Sequence, residues 1–104
     1  MLRVYREVLE LIRLLREVLA EIERRDPDLG RQLRRALPSV ALNIGEANGS
    51  RGRNRGARFH TALGSMRETM AGLEVAEALG YIQTDPAILA RIDRICAALY
   101  SLAR

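Results

Sequence analysis

The stretch Leu37–Phe59, LPSVALNIGEANGSRGRNRGARF, decides how the chain folds and contains most of its candidate functional residues. It begins with apolar residues at helical spacing and ends in a segment of alternating arginines. Asn48 and Gly49 both tolerate the left-handed backbone conformation of a helix C-cap, so we predict that the helix ends there. Residues 50–54 form the predicted loop in the middle of the chain.

Two helices are predicted upstream of that loop. Residues 3–25 carry apolar side chains at alternating steps of four and three, which places them on one helix face. That row is Val4, Val8, Leu11, Leu15, Val18 and Ile22. A second row beside it, Tyr5, Leu9, Ile12 and Leu19, widens the apolar face, so we expect helix 1 to contact more than its own bundle. Asp26-Pro27 supplies the cap and first position of helix 2, in which Pro38 predicts a kink. The buried row predicted for helix 2 is Leu33, Leu37, Val40, Ile44 and Ala47.

Two further helices are predicted downstream. The third runs from Arg53 or Arg55 to Leu79, with Gly80 as its C-cap, and Asp85-Pro86 starts the fourth. Their buried rows are Phe59, Leu63, Met66, Met70 and Leu73 in the third helix and Ile88, Ile92, Ile95, Leu99 and Leu102 in the fourth. Gly64 and Gly72 inside the third helix indicate close approach of another helix. The sequence therefore predicts an all-α, antiparallel up-down-up-down four-helix bundle, with residues 1–104 as a single domain.

Composition narrows the class of protein. All 17 basic residues are arginine, against 13 acidic residues, which gives a net charge of +4. Arginine's fork of donors suits phosphate or carboxylate partners, although a GC-rich coding sequence would give the same composition.

The single cysteine, Cys96, fits a reducing compartment. No apolar run approaches the ~18 residues needed to cross a bilayer, so we expect a cytoplasmic protein without a membrane partner. A chain this short is also expected to bury apolar surface by association.

Several motifs in order resemble a known family. They are the LRRA segment at 33–36, Asn43-Ile44 with Glu46, Asn-Gly followed by arginines, Phe59 with Gly64-Ser65 and Glu68, and LGYI at 79–82. Together they resemble the small four-helix-bundle family encoded by intervening sequences in bacterial large-subunit ribosomal RNA genes. The chain departs from the commoner pattern at Ala41, where proline is usual, at Gly45 and Ala47, and in lacking lysine. The change at Ala41 moves the kink in helix 2.

The resemblance implies a homo-oligomer, typically a pentameric ring, with no known catalysis and a connection to nucleic acid or the ribosome. A related branch is the accessory variability determinant of diversity-generating retroelements. That branch implies a basic pentamer that binds a reverse transcriptase and nucleic acid.

Charge placement predicts a nucleic-acid interface independently of the resemblance. In an up-down-up-down bundle the loop between helices 2 and 3 lies at the same end as both termini. That end would gather Arg51, Arg53, Arg55, Arg58, Arg3 and Arg6, together with Arg104, against few acids. The start of helix 3 adds free backbone amides to this anion site. We therefore predict phosphate-backbone binding, most simply to RNA, although an arginine-rich loop that only solubilises the protein is the alternative. Phe59 is the one aromatic residue expected near this end.

A second candidate group is Asn43, Glu46 and Glu68, interpreted as a structural polar network. Glu46 is expected to cap or pair with loop arginines, and Asn43 to satisfy backbone groups around Pro38. No catalytic site, metal site, cofactor or small-molecule substrate is predicted. The single histidine, His60, lacks the Glu-x-x-His spacing of a di-metal bundle, and Cys96 has no evident catalytic partners.

Three functions remain open from the sequence. The chain is a nucleic-acid-binding oligomer, an accessory subunit of a reverse transcriptase, or a pure assembly module. The third would use helix 1 and the small-residue face of helix 3 to form a ring and would bind no polyanion.

Overall fold

The computed structural model describes residues 2–104. Within that range the chain is all helical and contains no strand. Its four helices are α1 (Arg3–Arg25), α2 (Pro27–Asn48), α3 (Gly52–Ala78) and α4 (Pro86–Ala103). The predicted all-α class and number of helices are therefore confirmed. α2 continues through Pro38 without a break, and the kink there stays a prediction.

Aspartate caps start two of the helices, as the sequence predicted. The side chain of Asp26 accepts a hydrogen bond from the backbone N–H of Leu29, and Asp85 accepts one from the N–H of Ala87. Each aspartate precedes a proline at the first helical position, where the missing N–H costs no intrahelical bond. Residues within a single helical turn therefore determine where each of these two helices starts.

The ends of α2 and α3 differ. α3 stops in a Schellman motif, in which Tyr81 N–H bonds to Ala76 O and Gly80 N–H to Glu77 O, with Gly80 at φ 80°. α2 ends at Asn48, as predicted, but without the left-handed residue that we expected there, because Gly49 has φ −95°. The left-handed residue near this loop is instead Gly52, at φ 58°, so α3 begins there and residues 49–51 alone form the connection.

Most of the predicted buried rows form the core. In α1, Leu19 is buried and Val18 is half-buried, because the 3.6-residue turn shifts a strict four-three pattern toward later residues as the helix lengthens. In α3, Thr69 is fully buried and Met70 half-buried. In α4, Ile88 and Leu102 at the two ends of the row are half-buried. The hydroxyl of Thr69 donates to Ser65 O at 2.9 Å, so its burial leaves no unpaired polar atom.

Glycines mark where helices approach most closely. A Cβ at Gly72 would lie 2.5 Å from Leu33 Cδ2, which confirms close approach of α2 to α3 at that position. A Cβ at Gly64 would meet nothing within 4 Å. The prediction that another helix of the same chain approaches Gly64 closely was therefore wrong. A second close approach, which the sequence did not indicate, is made against backbone atoms: a Cβ at Gly30 would lie 2.6 Å from the Cα of Glu23.

Candidate nucleic-acid interface

Pairwise contacts connect four helix termini. A Cβ at Gly45, late in α2, would lie 3.9 Å from Cε1 of Tyr5, early in α1. A Cβ at Gly56, early in α3, would lie 3.3 Å from the carbonyl oxygen of Ala103 in α4. The start of α1 and the end of α4 line one shared groove. We call this region the basic end, and it carries Arg3, Arg6, Arg51, Arg53, Arg55, Arg58 and Arg104.

Two of these arginines pair with carboxylates. Arg3 lies 3.3 Å from Glu7 and Arg58 lies 2.9 Å from Glu46. Both pairs are solvent-exposed, with 94% of the Arg3 side chain and 48% of the Arg58 side chain accessible. Exposed pairs of this kind contribute only about 0–1 kcal/mol, so a phosphate can compete for either arginine.

Arg55 has a structural contact. Its Nη1 donates to the carbonyl oxygen of Ala47 at 3.3 Å, near the end of α2. Its guanidinium also lies over the ring of Phe59, 5.1 Å from the centroid. A cation at a helix C-terminus satisfies one of the last carbonyls and complements the helix dipole. Arg55 thus links α2 to α3 as well as adding positive charge.

Arg6, Arg51 and Arg53 are exposed and make no salt bridge with any residue in the range 2–104. Arg51 and Arg53 flank Gly52, whose positive φ turns the chain into α3. The sequence predicted helix 3 to start at Arg53 or Arg55, and Arg53 lies in the first turn of α3, which begins one residue earlier at Gly52. These three guanidinium groups therefore have their donors directed to solvent.

The start of α3 lacks a side-chain cap. Its N-cap residue, Arg51, makes no capping hydrogen bond, and the first turn contains no acidic residue. The first backbone N–H groups of a helix have no intrahelical partner and carry partial positive charge. A depression of about 310 Å³ lies beside this turn and is lined by Ser50, Asn54, Ala57, Arg58 and Thr61. The amide of Asn54 and the guanidinium of Arg58 thus lie beside a helix start that favours an anion, whereas the hydroxyls of Ser50 and Thr61 donate to the carbonyl oxygens of Glu46 and Ala57.

The opposite end has balanced charge. Glu21 bonds to both Arg24 and Arg25, and the hydrogen bond from Arg24, followed by that from Arg25, lowers the pKa of the Glu21 carboxyl. Arg34 of α2 pairs with Glu23 of α1 at 3.1 Å. Arg24, Arg25, Arg31 and Arg34 at this end therefore pair with carboxylates, whereas two of the seven arginines at the basic end, Arg3 and Arg58, do so among the described residues.

The predicted polar network has different members. Asn43 donates through Nδ2 to the backbone oxygen of Ser39 at 2.9 Å and to its hydroxyl at 3.1 Å. The Ser39 hydroxyl bonds across to that of Ser65 at 3.0 Å, which joins α2 to α3. No hydrogen bond in the described part of the chain links Asn43 to Glu46 or Glu68.

The two glutamates have separate environments. Glu46 bonds to Arg58, whereas Glu68 is exposed beside a polar depression. That depression is lined by Arg35, Ala36, Ser39, Ser65 and Glu68. The polar contact between α2 and α3 is made by Ser39 with Ser65, and neither glutamate takes part in it.

His60 and Cys96 are the two residues that the sequence analysis considered for catalysis. His60 is exposed. Burial raises the pKa of the Cys96 thiol, which disfavours the reactive thiolate. No group of three or more possible metal ligands occurs among residues 2–104. In the same range, no helix has the length and apolarity that a membrane crossing requires.

Family comparison agrees with the resemblance seen in the motifs. The family model described as 23S rRNA-intervening sequence protein matches residues 1–101. The chain belongs to this family. Comparisons with curated proteins and with solved structures gave no match. The relation of this family member to retroelement accessory proteins, and with it a reverse transcriptase partner, stays a prediction.

The structure also changes which aromatic residue is available at the basic end of this family member. Phe59, the residue expected there, is 0% exposed and lies beneath Arg55. Tyr100 is 57% exposed, and the guanidinium of Arg104 lies over its ring at 5.7 Å from the centroid. Its position four residues before Arg104, which the sequence already places at this end, is the signal that could have identified it.

Proposed function

We propose that this chain is a non-enzymatic nucleic-acid-binding protein whose basic end contacts the phosphate backbone of RNA. The observation that carries the proposal is the group of exposed arginines without acidic partners, Arg6, Arg51 and Arg53, beside the uncapped start of α3. Guanidinium groups bind phosphate bidentately, and the helix start adds backbone N–H donors directed at the same region. Membership of a family named for an intervening sequence in 23S rRNA is compatible with this role.

The proposed contacts are mainly electrostatic, so they carry a definite salt dependence. Each phosphate neutralised by an arginine releases a condensed counterion, and the logarithm of the affinity then falls linearly with the logarithm of the salt concentration. Phosphate contacts position a protein but do not read bases. We therefore expect binding to many RNA sequences that weakens steeply between low and physiological salt.

The test is a double charge reversal at the basic end, Arg51→Glu with Arg53→Glu. Arg55 is left unchanged because it also bonds to Ala47 of α2. Fluorescence anisotropy with a labelled structured RNA should show about tenfold or greater loss of affinity at low salt. The salt slope should fall by about two for each protomer in contact with RNA.

The matched control is Arg16→Glu with Arg94→Glu. Arg16 lies in the middle of α1 and Arg94 in the middle of α4, and both are exposed and lack a salt bridge in the described chain. The control changes the net charge by the same amount, so it separates a local contact from a general loss of attraction. Equal effects of the two double variants would reject the basic end as the interface.

We further propose that the helices alternate up and down and that the protein assembles into a homo-oligomeric ring, a pentamer as the family resemblance implies. The alternation is supported by contacts between the end of α1 and the start of α2, through Glu23 and Gly30, and by those at the basic end. Assembly is supported by apolar surface that the single chain leaves open. Leu14 of α1 is 43% exposed and Leu42 of α2 is 68% exposed, and Gly64 presents open space on α3.

The assembly is tested by light-scattering mass. Leu14→Arg places a charge on the outer face of α1 and should reduce a ring of several chains to smaller species. Ala90→Arg, at an exposed position of α4, is the control and should leave the mass unchanged. A wild-type mass of one chain at micromolar concentration would reject the ring while leaving RNA binding open.

A further inference from the structure

An exposed aromatic side chain lies within the basic end. Tyr100 is 57% exposed although Arg104 lies over its ring. The other tyrosines are half-buried, since Tyr5 lies against Gly45 of α2 and the hydroxyl of Tyr81 donates to Asp26 at 3.2 Å. Tyr100 is therefore the one tyrosine in residues 2–104 with most of its surface in water.

The location of Tyr100 follows from the contact between α3 and α4. Gly56 of α3 lies against Ala103 of α4, and Tyr100 lies about one turn before Ala103 along α4. Tyr100 is thus about two helical turns along the bundle from Gly52, where α3 begins and where Arg51 and Arg53 are exposed. Basic side chains and a flat apolar ring occur on the same end of the molecule.

We propose that Tyr100 is a stacking platform for a nucleobase, so that the basic end binds single-stranded rather than fully paired nucleic acid. This inference rests on the proposed function. A base stacks on a tyrosine ring without regard to its identity, because every base has a π face. Arg104 extends the platform, since a guanidinium plane stacks on bases as well as on aromatic rings. The arginines of the basic end hold the backbone while Tyr100 holds an unpaired base.

Base stacking on Tyr100 predicts a preference for single strands over duplexes, which charge alone does not predict. A duplex keeps its bases stacked inside the helix and would contact only the arginines. A single strand gains the stacking contact. Loss of such a contact on alanine substitution lowers the affinity by about 5- to 150-fold per base. Sequence preference stays small, because no base edge is read.

The test compares two single strands with equal phosphate number, a thymidine 12-mer and an abasic 12-mer, in fluorescence anisotropy at low salt. The wild-type protein should bind the thymidine 12-mer at least about fivefold more tightly. Tyr100→Ala should reduce its affinity to that of the abasic strand and leave abasic binding unchanged. Tyr100→Phe should retain the preference, because the ring and not the hydroxyl makes the contact.

A second measurement reports the contact directly. The chain contains no tryptophan, so Tyr100→Trp introduces a unique fluorophore that is excited where thymidine does not absorb. The thymidine 12-mer should quench its emission, and the abasic 12-mer should not. Emission that is indifferent to both strands would overturn the proposal.

A failure of base stacking can be distinguished from a failure of phosphate binding. Equal, salt-sensitive binding of both strands by the wild type would overturn base stacking and leave phosphate binding intact. If neither strand binds at low salt, the proposed function and this inference fall together. A Tyr100→Ala protein that keeps the preference but changes its light-scattering mass would assign Tyr100 to contacts between copies of the chain, which also overturns the proposal.

Discussion

Substitution of Gly30 by alanine tests the packing of α1 against α2. The added Cβ would lie 2.6 Å from Glu23 Cα, 2.7 Å from its Cβ and 3.1 Å from its backbone nitrogen. Ordinary contacts begin near 3.4 Å, so the two helices must separate by about 0.8 Å. The atoms in the way belong mostly to the backbone and have no rotamer to change.

The magnitude follows from two opposing effects. Overpacking costs about 1–3 kcal/mol, and a backbone clash lies at the upper end of that range. Alanine recovers at most about 1 kcal/mol of helix propensity. We expect Gly30→Ala to lower the free energy of unfolding by about 2 kcal/mol. For a domain of this size that corresponds to a melting temperature about 8–16 °C lower.

The assay is thermal unfolding by circular dichroism at a fixed protomer concentration, because assembly makes the melting temperature depend on concentration. Gly45→Ala is the control within α2, where the added Cβ would make an ordinary contact at 3.9 Å with Cε1 of Tyr5. It should raise stability by up to about 1 kcal/mol. A melting temperature of Gly30→Ala equal to or above that of the wild type would refute the close approach of α1 and α2.

Three further outcomes are expected. Asp26→Ala removes the cap of α2 and the acceptor for Tyr81, and should cost about 1–2 kcal/mol in urea unfolding, whereas Asp26→Asn should keep most of the cap. Because burial raises the pKa of Cys96, iodoacetamide should alkylate it more slowly at pH 8 than a free thiol, and the rate should keep rising beyond the ordinary cysteine pKa. Asn43→Ala removes the donor to Ser39 and should lower stability by about 1 kcal/mol without weakening RNA binding; a specific loss of RNA affinity would show that Asn43 contacts the ligand.

The helices were predictable because their signals are local. α1 has the predicted bounds, and the caps at Asp26, Asp85 and Gly80 each depend on residues within one turn. The periodic apolar rows also found most of the core. They failed at Val18, where a fixed step pattern departs from the 3.6-residue turn, and at Met70, Ile88 and Leu102, which are half-buried.

The closest contacts and the site depend on distant residues and were harder to predict. Gly30 looks like any early helical glycine until Glu23 is placed against it. Ser39 and Ser65 lie far apart in sequence, so their bond needed the packing of α2 on α3. The start of α3 was predicted only as Arg53 or Arg55, whereas a single left-handed Gly52 is enough to start the helix one residue earlier.

The uncapped start of α3 has a practical consequence for solution work. Its first amides have no side-chain acceptor from Arg51, so the acceptors come from the surrounding medium. Phosphate and sulfate fit such a helix start better than chloride does. We expect these buffer anions to raise the melting temperature and to compete with nucleic acid. Affinities measured in phosphate buffer would then describe the displacement of one anion by another, so the measured binding constant would depend on the buffer.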